Sequence, residues 1–187
     1  MSWNTFLAAA SEHWVAWLVS FVLVVAAVID GWKLKVPNLI TFPFVLGGWA
    51  YGFWSLGWSG LGYSLLGTAV GLALLLPLYA IGGMGAGDVK LLAGVGAWMG
   101  STVTFWAFCY SAVVGGVLAL LMMAYRRTWQ RHRDNLLLIL TEILTIRDPN
   151  QLAQIAAERK PRMLLLPYGI PIAIGSIGYF LWSGMLL

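Results

Sequence analysis

Val89-Lys90-Leu91-Leu92-Ala93-Gly94-Val95-Gly96-Ala97-Trp98-Met99-Gly100 is the stretch on which the topology of this chain turns. About 12 helical residues rise only about 18 Å, against a hydrocarbon core of about 30 Å. The segment therefore crosses by tilting, bending or continuing past Gly100, or it enters the bilayer and returns to the side it came from. Five other runs are apolar enough to cross, at approximately 14–29, 38–56, 61–81, 102–125 and 163–187. The cations decide between the two readings. The 11 Lys and Arg residues fall in three intervals. Lys33 and Lys35 follow the first run, and Lys90 heads the fourth. Arg126, Arg127, Arg131, Arg133, Arg147, Arg159, Lys160 and Arg162 lie between the fifth and sixth. If 89–100 crosses, all three intervals share one side; if it is re-entrant, the last falls opposite the other two. Cationic loops collect on the cytoplasmic side, so the pattern predicts an all-α polytopic membrane protein. It has six transmembrane helices and both termini outside the cytoplasm.

The composition agrees. Of 187 residues 60% are hydrophobic and 10% charged, with mean hydropathy +0.83. A soluble domain carries about 25% charged residues, so a soluble enzyme, a disordered tail and a nucleic-acid-binding module are excluded. Residues 1–187 read as one membrane domain. The pI near 9.4 then reports topology and attraction to membrane lipid rather than a nucleic-acid partner. Residues 1–13 contain no Lys or Arg, so the first run lacks the basic flank of a cleavable signal peptide.

The interval 126–162 is the long basic cytoplasmic loop. Within it 135–146 is mostly apolar but too short to cross, and reads as an interfacial helix under the headgroups. Glycine pairs four apart, Gly48/Gly52, Gly67/Gly71 and Gly96/Gly100, suit close helix packing inside the molecule. Trp14, Trp54, Trp58, Tyr125 and Trp182 stand near predicted helix ends, as interfacial aromatics do. The one cysteine, Cys109, excludes an intrachain disulfide or a CxxC pair in these residues and reads as a buried structural thiol.

Of 7 acidic residues, Glu12 lies in the outer N-terminal segment, and Asp134, Glu142, Asp148 and Glu158 share the basic loop. Asp30 and Asp88 instead abut apolar runs, where an ionised carboxylate costs up to about 2.5–3.5 kcal/mol toward a helix centre. Asp30 closes the first run, at the end where a helix presents partial negative charge. Asp88 opens the fourth and also suits an N-cap. The six-span frame puts both at one depth, on the cytoplasmic side. Before Asp88 come Gly82, Gly83, Gly85 and Gly87, a run that permits close approach of another backbone. No GK[ST] follows and no strand precedes, so a phosphate loop is excluded. After Asp30 the chain reads Gly31-Trp32-Lys33-Leu34-Lys35-Val36-Pro37-Asn38, a short basic turn ending at a proline suited to the next helix start.

These two segments resemble the type IV prepilin peptidases, the GxGD class of membrane aspartic proteases. Gly85-Ala86-Gly87-Asp88 matches the GxGD signature, continued by Val89-Lys90-Leu91, and the Asp30 segment is similar to the family's other aspartate motif. Pro167-Tyr168-Gly169-Ile170-Pro171 is similar to a third family segment with a proline-rich helix start. Larger members carry a cytoplasmic methyltransferase region with paired CxxC motifs. With one cysteine and 29 residues before Asp30, this chain resembles the short, peptidase-only form of tight-adherence (Flp) pilus systems, and methyltransferase activity is expected to be absent.

The resemblance implies a catalytic dyad of Asp30 and Asp88 that cuts the leader of a pilin or pseudopilin precursor. Gly85, Gly87, Lys90, Lys33, Lys35, Pro37 and Asn38 would shape the site or bind substrate. Two close carboxylates cannot both ionise cheaply. The charged one takes a proton from the attacking water, and the neutral one donates to the scissile carbonyl. No cofactor or metal is implied: His13 lies on the outer side and His132 in the basic loop. Lys90 fits either an interfacial anchor or a partner of Asp88. The runner-up reading is a small proton- or cation-coupled transporter using the two acids as an ion site. Against it, the acids lie near one face rather than at the midplane, and no inverted repeat is visible.

Overall fold

A computed structural model describes residues 13–80, 83–126 and 167–187 of the chain. These form α1 (Trp14–Lys33), α2 (Asn38–Ala80), α3 (Ala86–Arg126) and α4 (Gly169–Trp182), with no strand among the described residues. Three of the helices, α1, α2 and the 86–122 part of α3, are long and apolar enough to cross a membrane, and α4 is a shorter apolar helix. The basic loop at 127–162 and the expected interfacial helix at 135–146 lie outside the described residues.

Although α2 runs for 43 residues, it is two limbs. Gly57, at φ 62° and ψ −142°, leaves the helical region and turns the chain back. Ser64 Oγ donates to the Gly48 carbonyl at 3.3 Å, and Trp49 Nε1 donates to Thr68 Oγ1 at 2.9 Å. A straight helix would hold such pairs about 24 Å or more apart. Gly100, at φ 77° and ψ 176°, breaks α3 in the same way. Leu92 and Phe108, on its two limbs, line one cavity. Both reversals fall where the apolar runs were separated in the sequence. Several boundaries differ from expectation, among them the sixth run, expected at 163–187 and helical over Gly169–Trp182 among the described residues. The first helix continues through Lys33 rather than ending at residue 29, and the fourth run begins helical at Ala86 rather than 89.

The short stretch 89–100 turns out to be the centre of the molecule. Leu91, Leu92 and Val95 are fully buried, as are Ala93 and Ala97 nearly so. Surrounded by protein, this limb has no need of the continuous lipophilicity that a lipid-facing helix shows, and small residues let its neighbours close in. The added Cβ of an alanine at Gly71 would lie 2.7 Å from the Leu92 carbonyl oxygen, and at Gly48 it would meet Ala97 at 2.6 Å. Gly67 and Gly96 face each other backbone to backbone. The glycine spacing thus serves intramolecular packing, as expected.

Trp98 extends this centre. Its Nε1 donates to the Phe44 carbonyl at 2.7 Å, and its ring stacks on Tyr51 with centroids 5.4 Å apart. Trp14 joins this cluster edge-on, whereas Trp54, Trp58, Tyr125 and Trp182 are exposed in the way interfacial aromatics are. Cys109 is free but only half-buried, because this limb of α3 buries the face of Thr104, Ala107, Ser111 and Gly115 and residue 109 lies off it. Finally, α1 packs chiefly against α4 and more lightly against α3, while α3 packs against both α2 and α4. The start of α4 is thereby brought beside the end of α1 and the start of α3.

Candidate active site

Three chain segments meet at one end of the bundle: the last turn of α1, the glycine run leading into α3, and the start of α4. Asp30 sits in the last turn of α1 and is 2% exposed. Its main-chain oxygen accepts the Leu34 amide at 2.8 Å, closing the helix on the left-handed residue Leu34. Its carboxylate Oδ2 accepts the Gly169 amide at 2.8 Å, from the first residue of α4. The first amides of a helix have no partner within it and carry partial positive charge. The carboxylate that looked misplaced at the end of α1 is held by the start of α4. Glycine at 169 leaves this contact unstrained, since a Cβ there would lie 3.0 Å from both Cβ and Oδ2 of Asp30 and the carboxylate would have to give by a few tenths of an ångström.

Asp88 is 5% exposed. It is the third residue of α3 rather than its N-cap, which corrects the expected register: the helix starts at Ala86. Its Oδ2 accepts the Gly85 amide at 3.0 Å, and its own amide donates to the Gly85 carbonyl at 3.2 Å. A carboxylate reaching back from the third helical position is half of a capping box, so Asp88 closes the turn that presents it. A side chain at Gly85 would begin 3.1 Å from Oδ2.

The two aspartate motifs are docked on each other. At Gly87 a Cβ would lie 2.6 Å from the Val36 carbonyl oxygen and 2.9 Å from the Val36 Cβ, and Val36 is buried. The Pro37 carbonyl accepts the Thr41 amide at 3.3 Å and so opens α2. Lys90 Nζ donates to Asn38 Oδ1 at 2.9 Å and stands 4.7 Å from the centroid of the Phe42 ring. Lys90 therefore joins the GxGD segment to the Asp30 segment. Lys33, the last residue of α1, and Lys35, on the connecting turn, are both exposed.

Two residues of this site were not singled out from the sequence. One is Gly169, whose donated amide leaves no mark in a side-chain pattern. The other is Tyr168, the residue before it, whose phenol is within electrostatic reach of Asp88. The segment Tyr168-Gly169 thus relates the two acids to each other. Its one legible signal was the Pro167-Tyr168-Gly169-Ile170-Pro171 helix start. No group of three or more His, Cys, Asp or Glu able to hold a metal occurs among the described residues.

Residues 17–120 match the type IV leader peptidase family. Among curated proteins, the prepilin leader peptidase/N-methyltransferase of Aeromonas salmonicida (strain A449) is 32% identical over 122 residues, covering 62% of this chain and 42% of that protein. The protein of the same description from Aeromonas hydrophila is similar to the same extent. The chain spans well under half the length of these relatives. No solved structure matches it.

Proposed function

This chain belongs to the type IV leader peptidase family, and from that premise we propose that it is an aspartic endopeptidase of type IV pilin-like precursors. It removes their leaders at the cytoplasmic face of the bacterial inner membrane, without methyl transfer. The observation that carries this reading is the pair of buried aspartates, Asp30 and Asp88. Each is held by a main-chain amide, and their segments are docked through Gly87 on Val36 and Lys90 on Asn38. One carboxylate takes a proton from water as that water attacks the scissile carbonyl, and the other donates a proton to the carbonyl oxygen. A single cysteine among these 187 residues leaves no CxxC pair within them, so methyl transfer is not assigned to these residues, and a tight-adherence type of precursor is proposed.

The limbs on either side of Gly57 and Gly100 each serve as one crossing in this reading, giving six with α1 and the segment that includes α4. Lys33, Lys35 and Lys90 then mark the cytoplasmic side, and both termini lie outside.

The experiment is co-expression with a pilin precursor, with leader removal scored by mass spectrometry of the pilin. Wild type is run beside Asp30→Asn and Asp88→Asn, with membrane levels matched. Cleavage by wild type and by neither variant is expected. Cleavage that survives either substitution removes that aspartate from the chemistry.

A further inference from the structure

Tyr168 is the N-cap residue of α4, and its side chain makes no capping hydrogen bond. N-caps favour Ser, Thr, Asp or Asn, whose short side chains reach the free amides of the first turn, so the helix start does not account for a tyrosine here. The main chain at 168 is fixed, because its carbonyl accepts the Ile172 amide at 3.1 Å. The side chain is held as well: it packs against the buried core and lines a cavity together with Met84 and Leu92. Met84 comes one residue before Gly85, whose amide holds Asp88. Gly169, whose amide holds Asp30, comes one residue after Tyr168. The half-buried ring thus joins the segment that holds one acid to the segment that holds the other, with its phenol in electrostatic reach of Asp88. Its hydroxyl makes no hydrogen bond among the described residues, although a buried tyrosine hydroxyl usually has a partner.

We propose that Tyr168 is a further catalytic residue, whose hydroxyl donates a hydrogen bond to the carbonyl oxygen of the scissile peptide. The inference rests on the peptidase reading above and adds a second donor to it. A free phenol titrates near pH 10, so at neutral pH it carries its proton and donates. As water attacks, negative charge grows on the carbonyl oxygen. A donor already fixed beside that atom stabilises the transition state more than the ground state. The protonated aspartate is one such donor; the phenol is another, and it keeps its own proton throughout. Removing a principal donor of this kind costs about 10²–10³ in kcat. Because the protonated aspartate shares the task, loss of the phenol is expected to cost roughly ten- to a hundredfold.

The test uses the full chain in lipid vesicles with pilin precursors as substrates. Wild type, Tyr168→Phe, Tyr168→Leu and a control, Tyr179→Phe, are compared by kcat and KM separately. Rates are taken per folded molecule, counted from the monodisperse peak in detergent before reconstitution, so that misfolding lowers yield and not kcat. Tyr179 lies on the same helix about three turns further on, with its ring against Tyr110. Tyr168→Phe keeps the ring and removes only the hydroxyl. It is expected to lose roughly ten- to a hundredfold in kcat with KM within about twofold of wild type. Tyr168→Leu is expected to be no faster, Tyr179→Phe to match wild type, and the acid limb of the pH profile to stay in place in Tyr168→Phe. Wild-type kcat in Tyr168→Phe overturns the proposal and leaves the peptidase reading standing; if Tyr168→Leu alone is slow, the ring serves packing. A loss confined to KM also overturns it, since the hydroxyl would then bind substrate and transition state alike. So does an acid limb that moves, which would put the action of the phenol on Asp88 rather than on the precursor. A wild type that cuts none of several precursors overturns the peptidase reading, and the role of Tyr168 with it.

Discussion

The amide of Gly169 reaches Oδ2 of Asp30 at 2.8 Å across 139 positions of chain. That bond joins the last helix to the first and sets where one of the two acids points. Adding one methyl group tests it. In Gly169→Ala the new Cβ would lie 3.0 Å from Oδ2 and 3.2 Å from Cγ of Asp30, so the carboxylate has to give by a few tenths of an ångström. A displacement of about 1 Å near a reacting group costs about 10²-fold in rate, and this shift is a fraction of that. Leader cleavage is expected to slow by roughly three- to tenfold in kcat with KM little changed. Wild-type kcat in this variant would detach Gly169 from the positioning of Asp30.

A contrast between Gly87 and Asn38 separates the two ways in which the motifs are joined. A side chain at Gly87 meets the Val36 backbone at 2.6 Å, and backbone cannot rotate out of the way. Gly87→Ala is expected to abolish cleavage and to lower the melting temperature in detergent. The Lys90–Asn38 bond is exposed, and an exposed charged contact is worth about 1 kcal/mol or less. Asn38→Ala is expected to retain cleavage within roughly fivefold, a rate loss equivalent to about that energy. Loss of activity as complete as that of Gly87→Ala would make the lysine contact essential.

How far these features were legible in the sequence depends on which atoms make them. Asp30 and Asp88 stood out because a carboxylate beside an apolar run is costly, and both are buried here. The reversals at Gly57 and Gly100 were visible as gaps between runs. The packing of Gly67 against Gly96 was visible as spacing. The role of Lys90 was open between a lipid anchor and a partner of Asp88. Lys90 Nζ donates to Asn38, because the start of α2 lies against the start of α3. The position of Asp88 in its helix differs from the N-cap reading by three places, because α3 starts at Ala86 and takes in Ala86, Gly87 and Asp88 itself. Gly169 and Tyr168 were legible only as part of the proline-rich helix start, with no role attached: the Gly169 donor is main-chain and has no residue type, and the relation of both to the acids is purely tertiary.

Glycine-to-alanine substitutions at Gly57 and Gly116 are expected to act in opposite directions for reasons of backbone alone. Neither added Cβ meets an atom within 4 Å. Gly57 has φ 62° and ψ −142°, a conformation that costs a residue with a side chain about 1–3 kcal/mol. Gly116 is helical, where alanine is favoured by about 0.5–1 kcal/mol. Thermal unfolding in detergent is expected to place Gly57→Ala below wild type and Gly116→Ala above it. A Gly57→Ala protein as stable as wild type would mean that the two limbs of α2 do not depend on this turn.

Site-directed labelling decides whether the two glycine turns lie across the bilayer from the aspartate motifs. Cys109 is replaced by serine so that the half-buried native thiol does not react. Single cysteines are then placed at Lys35, Ser59 and Thr102, all exposed positions. Six crossings put Lys35 on the cytoplasmic side, with Ser59 after Gly57 and Thr102 after Gly100 on the outer side. An impermeant maleimide added to intact spheroplasts is expected to label Ser59→Cys and Thr102→Cys. Lys35→Cys should react only in inverted vesicles. If Thr102→Cys instead reacts from the cytoplasmic side, the limb 86–100 enters and returns without crossing. The eight basic residues of 126–162 would then stand opposite Lys33 and Lys35, against the charge asymmetry on which the six-span reading rests.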